Sequence, residues 1–177
     1  MLLNNIETER LVFRSATMAD TKTFMPFFEH KHARRFWELE EGQTWADLCN
    51  FLFQKTINRY KEENVAFAAI CLKNTKEFIG LCGLLWQEVD GIKELEVGYH
   101  FIPQYWGNGY ATEAAIASRN AGFKHYDVDS IISIINVENT ESIGVAERNG
   151  MRPTKHTVKF NQNVCIYRIT RAEWLKC

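Results

Sequence analysis

The chain has 177 residues, 46% hydrophobic and 24% charged, with 21 Lys and Arg against 22 Asp and Glu for a formal charge of -1. That length fits one domain with a sizeable core, and the composition excludes a disordered or low-complexity protein. The balanced charge excludes a strongly basic nucleic-acid binder and a polybasic membrane anchor, and no run reaches the roughly 20 apolar residues of a membrane helix.

Leu11–Ser15 reads as a first strand, with Leu11 and Phe13 on one face and Val12 and Arg14 on the other. Thr17 followed by Asp20 opens a helix over residues 21–28. Thr44 with Asp47 is a stronger N-terminal signature, and Leu48, Phe51, Leu52, Lys55 and Arg59 then follow at helical spacing. Residues 65–72, 78–86 and 95–102 are apolar and strand-like. Asp90-Gly91 between the last two marks a hairpin turn, so the three form an antiparallel meander. Past Pro103 comes a glycine-bearing loop over 104–110, then an Ala-rich helix over 111–125. A strand over 130–137 and a short helix over 139–149 follow, with Gly150 as its stop. Residues 154–160 and 164–170 form a last hairpin around Asn161-Gln162-Asn163. This order implies a single α/β domain over residues 1–177 whose sheet is partly antiparallel.

Met1-Leu2-Leu3-Asn4-Asn5 turns polar at once without a basic region, which argues against a secretory signal. Cys49, Cys71, Cys82, Cys165 and Cys177 show no paired spacing and read as the reduced thiols of a cytoplasmic protein. His30 and His32 lack companion ligands, so no metal site is expected.

The stretch Gln104-Tyr105-Trp106-Gly107-Asn108-Gly109-Tyr110-Ala111-Thr112 carries the most chemistry. It lies between a strand and the first turn of a helix. The first amides of a helix have no internal partner and sit at the positive end of its dipole, and glycines let a ligand approach the main chain. That combination suits a phosphate or pyrophosphate; the plainer reading is a glycine turn that starts a helix. A dinucleotide-binding fingerprint fails because Thr112 stands where its third glycine belongs, and no Gly-Lys-Ser/Thr follows for a P-loop.

Gln104-x-x-Gly107-x-Gly109 resembles the Arg/Gln-x-x-Gly-x-Gly/Ala motif of the GNAT family of N-acetyltransferases. Glu7-Thr8-Glu9-Arg10-Leu11-Val12-Phe13-Arg14 is similar to the opening of the subfamily that acetylates ribosomal-protein N-termini. Glu96-Val97-Gly98-Tyr99 resembles that subfamily's fourth-strand motif, and Asn139-x-x-Ser142 with Glu147-Arg148-Asn149-Gly150-Met151 its later helix. The likeness spans nearly the whole chain in order.

The resemblance implies a mostly antiparallel central sheet with flanking helices and with strands four and five splayed apart to admit acetyl-CoA. It implies that the amides of Trp106, Gly107, Asn108, Gly109, Tyr110 and Ala111, with Gln104 and Thr112 beside them, hold the pyrophosphate. The pantetheine arm then pairs with the strand ending His100-Phe101-Ile102, opposite Ser133-Ile134-Ile135, and an amide near His100 or Phe101 polarises the thioester. Asn139 is expected to cap a helix and bind the pantetheine amide.

The reaction implied is direct attack of a free amine, a protein N-terminus or a small amine, within a ternary complex. Glu96 is the first candidate for the base, with a structural pairing to a basic residue as its alternative. His100 is the second, with a packed ring lining the pocket as its alternative. The tyrosine that many members use as an acid is replaced by Ala146. Ser142 is left to bond the thiolate or order a water, or to serve as a first-turn helix residue. Phe36, Trp37, Trp45 and Tyr60 fall where the resemblance puts the acceptor pocket, with ordinary core packing as the alternative for the tryptophans, and Arg34-Arg35 are either readers of an acidic group or a solvated pair. A catalytically poor acyl-CoA sensor is the rival function, and a homodimer is left open.

Overall fold

A computed structural model describes residues 2–176. Local signals fix most element boundaries. The first strand, β1 (Leu11–Ser15), buries Leu11 and Phe13 completely, as alternation requires. The first helix, α1 (Asp20–Glu29), starts beside Asp20, whose carboxylate accepts the Thr17 N–H at 2.8 Å. The second, α2 (Trp45–Glu62), starts at a capping box. Thr44 Oγ1 accepts the Asp47 N–H (3.2 Å), and Asp47 accepts the Thr44 N–H (2.9 Å).

Next come β2 (Phe67–Leu72), β3 (Phe78–Val89) and β4 (Ile92–Phe101). The β3 and β4 strands run on toward each other past the expected limits. Asp90 and Gly91 both take positive φ (52° and 78°), so the turn holds only two residues. A 3-10 turn (Pro103–Tyr105) leads into α3 (Tyr110–His125), which is followed by β5 (Ser130–Asn136) and α4 (Thr140–Arg148). The last hairpin is β6 (Arg152–Lys159) and β7 (Gln162–Thr170). Its turn is Phe160-Asn161, both with positive φ (55° and 58°), and not the three-residue loop read from the sequence. A short α5 (Arg171–Trp174) closes the chain with a Thr170/Glu173 capping box that the sequence reading passed over. Cys49, Cys71, Cys82 and Cys165 are buried free thiols; Cys177 lies outside the described residues.

Seven strands make one sheet in the order β1-β2-β3-β4-β5-β7-β6, and only the β4–β5 pair is parallel. One face carries α1 and α2, which pack Phe24, Phe28 and Phe53 against Phe67, Leu81 and Leu85. The other carries α3 and α4 over Leu84, Leu95, Val97 and Ile131. The sheet is the mixed, mostly antiparallel one expected, flanked by helices on both faces.

Candidate active site

The site is built on a seam that opens. β4 and β5 pair only at Leu95↔Ile131 and Glu96↔Ile132, although both strands continue beyond. At the closed end Arg168 of β7 reaches across β5 to make a two-pronged ion pair with Glu94, both bonds 2.5 Å. Beyond Glu96, side chains replace the main-chain ladder. Ser133 Oγ donates to the Val97 carbonyl (2.7 Å), and the Ile134 N–H is taken by Glu96 Oε1 (3.3 Å). These two bonds still cross the seam, but they go through side chains, so the main chains of the two strands no longer pair there while their polar groups stay satisfied.

The direction of each β4 amide follows from alternation. Ile102 donates its N–H to Ile79 of β3 (3.0 Å). The main-chain groups of Val97, Tyr99 and Phe101 are therefore turned toward the opening, and those of His100 toward β3. Phe101 confirms this: its carbonyl accepts the Trp106 indole N–H at 2.6 Å.

Glu96 and His100 share the α1/α2 face of β4, as alternation predicts. Glu96 is buried, and its second oxygen accepts a bond from Gln87 Nε2 at 2.7 Å. Its partner is thus a neutral amide on β3, not a basic residue. Burial pushes its carboxyl above the usual value, with Gln87 and the Ile134 N–H partly offsetting the rise. The His100 ring packs against Phe27 (5.6 Å), Trp37 (5.2 Å) and Phe67 (5.2 Å). That apolar enclosure lowers its pKa to about 4, so the ring is neutral near pH 7.

The start of α3 stands at the open end of the seam. Gly107 and Gly109 both have φ of 78°, and Gly109 occupies the N-cap position, where it offers no side chain. The first intrahelical bond there is Glu113 N–H to Gly109 O (3.1 Å), so the amides of Tyr110, Ala111 and Thr112 precede it. A β-carbon at Gly107 would meet nothing within 4 Å, and one at Gly109 would meet only the Arg10 guanidinium, at 3.4 Å. Gln104, Trp106, Asn108 and both glycines are exposed. Asn108 ties the loop down by donating to the carbonyls of Tyr105 and Trp106, each at 3.1 Å. This exposed, uncapped, glycine-lined helix start fits a diphosphate.

On the far side, Asn139 Oδ1 accepts the Ser142 N–H (3.2 Å) and caps α4. Tyr99, which the sequence reading left without a role, donates its hydroxyl to the Ser142 carbonyl (2.9 Å) and so fastens α4 to β4. Ala146 is fully buried under that helix. Thr112 accepts a bond from Arg148 of α4 (3.2 Å), which joins the two helices.

The segment between α1 and α2 crosses toward α4. His32 and Arg35 both contact Glu141, at 2.6 and 2.7 Å, and hold its carboxyl down at about 2, His32 contributing most. Arg34 lies over Trp45 (4.4 Å) and donates to the Phe28 carbonyl (2.9 Å). Both arginines are therefore engaged within the protein. Among the aromatics of the expected acceptor pocket, Trp37 borders His100, Trp45 stacks on Phe28, and the Tyr60 hydroxyl accepts the Ala16 N–H.

Sequence reasoning missed Gln87, Tyr99 and the tie through Glu141. Gln87 was within reach: once Asp90-Gly91 is the turn, the hairpin register puts Leu85 opposite Glu96 and Gln87 opposite Glu94. Among the described residues there is no metal-binding cluster and no helix long and apolar enough to cross a membrane.

The model of the acetyltransferase (GNAT) domain matches residues 10–152, and the chain belongs to that family. It is 39% identical over 95 residues to the uncharacterized protein YkkB of Bacillus subtilis (strain 168), a match that covers 54% of this chain and 55% of that relative. The fold matches an acetyltransferase from Agrobacterium tumefaciens str. C58 with a TM-score of 0.78, at 24% identity over 94% of both chains. It also matches Mycobacterium smegmatis RimJ in complex with CoA-disulfide, with a TM-score of 0.75 at 18% identity, over 92% of this chain and 83% of that one.

Proposed function

We propose that this protein transfers the acetyl group of acetyl-CoA to a primary amine, a protein N-terminus or a small molecule, by direct attack within a ternary complex. The observation that carries this is the uncapped start of α3 at the mouth of a seam whose strands part after two residue pairs. Acetyl-CoA supplies the activated acyl thioester. The amides of residues 106–111, with Gln104 and Thr112 beside them, hold its diphosphate. The β4 edge at Tyr99 and Phe101 receives the pantetheine arm, and Asn139 meets it from α4; Ile102 takes no part, because its N–H goes to Ile79 and its carbonyl accepts the Tyr105 N–H.

The Phe101 N–H, turned into the opening, is the donor for the thioester oxygen, a role worth roughly 100- to 1,000-fold in rate in other acyl-transfer sites. Glu96 accepts the proton of the incoming ammonium, directly or through water. Its raised pKa makes it a stronger base than an exposed carboxylate. A His100 ring that protonates only near pH 4 is a weak base, so His100 serves as a wall of the acceptor pocket. Ser142, in the first turn of α4, is the hydrogen-bonding partner for the departing thiolate.

A screen of amines and N-terminal peptides with acetyl-CoA, read by free thiol, tests the proposal. Thiol release with one of them is the expected result. Tight CoA binding with no turnover on any amine replaces it with the sensor reading, which the buried Ala146 in place of a tyrosine favours.

A further inference from the structure

The Thr8-Glu9-Arg10 segment lies just before β1. The structure brings it about a hundred residues along the chain to the start of α3. The Arg10 main-chain N–H donates to Glu113 Oε1 (2.9 Å), and its Nε pairs with Glu113 Oε2 (2.7 Å). Thr8 Oγ1 adds a third bond to the same carboxylate (2.5 Å). Burial works against ionisation of Glu113, but these bonds outweigh it and hold its carboxyl below the usual value. The Arg10 guanidinium also lies over the Tyr110 ring (4.8 Å).

One further bond reaches the glycine turn itself: Arg10 Nη1 donates to the Asn108 carbonyl at 2.9 Å. In a trans peptide the carbonyl and the following N–H point in opposite directions. Fixing Asn108 O on the guanidinium therefore fixes the direction of the Gly109 N–H, which faces away from Arg10. Gly109 is flexible by nature, so without that tether its peptide plane is free to turn. Arg10 also balances Glu113, a carboxylate in the first turn of α3 that would otherwise repel an anion there.

We infer that Arg10 is the positioning residue of the diphosphate cradle: it aims the Gly109 amide at the ligand and cancels the charge of Glu113. The inference rests on reading the α3 start as the diphosphate site, and the test separates the two. CoA and pantetheine share the thiol arm, but only CoA has the diphosphate. Their affinities are measured by calorimetry, with pantetheine read by competition.

Arg10→Ala weakens CoA about tenfold or more, the scale of a lost charge-assisted hydrogen bond, and leaves pantetheine unchanged. Arg10→Lys keeps the charge but not the forked contact, and gives an intermediate loss for CoA alone. Wild-type affinity of Arg10→Ala for CoA, or an equal loss for both ligands, overturns the inference. Should Arg10→Ala fail to fold, Arg10→Lys decides: unchanged CoA affinity overturns it and a CoA-only loss upholds it. Failure of the wild-type protein itself to bind CoA sinks the cofactor site instead.

Discussion

α2 and α3 begin in opposite ways. At α2, Thr44 and Asp47 answer each other's amides through a capping box. At α3, the N-cap is Gly109, with no side chain to give, preceded by a second glycine with the same positive φ. α4 follows the first pattern through Asn139. A side-chain cap answers one or two of the first amides of its helix, whereas the α3 start has no such cap and leaves them open. The contrast sets the α2 start, answered by its own side chains, against the open α3 start on which the proposed diphosphate site rests.

That contrast is broken most severely at Gly109. Gly109→Trp places a bulky side chain in the turn and strains a left-handed backbone. CoA at about 100 times its dissociation constant stabilises the wild-type protein by about 2.7 kcal/mol, seen as a thermal shift. The variant shows no such shift while its circular dichroism stays native. A retained shift separates the diphosphate from this turn.

Glu96→Gln tests the seam onto which α3 opens. With an amine found in the screen, turnover falls about 100-fold or more while CoA affinity stays near wild type. The wild-type rate rises with pH through a midpoint above the ordinary carboxylate range, because burial raises the Glu96 pKa. The variant loses that rise, and an unchanged profile removes Glu96 as the base.

The capped end predicts the converse. Thr44→Ala costs about 1 kcal/mol of stability and leaves CoA affinity alone. A change in CoA binding there contradicts the division between the two helix starts.

The smallest effect concerns acid. Burial works against ionisation of Asp20, but the Arg14 guanidinium (2.6 and 2.8 Å) and the Thr17 N–H outweigh it, so its folded pKa is lowered. A lowered carboxyl contributes stability above its unfolded pKa and loses it as pH falls through the folded one. Asp20→Asn therefore flattens the acid limb of the stability profile. An unchanged limb in that variant shows that the Arg14 pair contributes nothing.

Legibility in the sequence followed the range of the interaction. Capping signatures such as Thr44 with Asp47, and turns such as Asp90-Gly91, are local and were readable to within a few residues. The Phe160-Asn161 turn was misplaced because Phe is a poor left-handed residue, and neighbouring asparagines offered a more ordinary choice. The early β6 start was hidden by Pro153, which breaks the register between Pro153 and Lys155. In the site, alternation alone put Glu96 and His100 on one face. What each faces there, Gln87 for one and Phe27, Trp37 and Phe67 for the other, depends on contacts between distant elements. Arg10 was legible only as part of a likeness, because its partners Asn108 and Glu113 lie about a hundred residues away.

The Arg168–Glu94 pair has a consequence for how the sheet holds together. It ties β7 to β4 across β5 at the narrow end of the wedge, so the sheet is held there by a charge pair as well as by the short ladder. Among the described residues no ladder pair joins the two strands past Glu96 and Ile132, so the wide end lacks the support that the Glu94 end has. Loosening this tie would weaken the closed end of the seam without touching Glu96, His100 or Ser142.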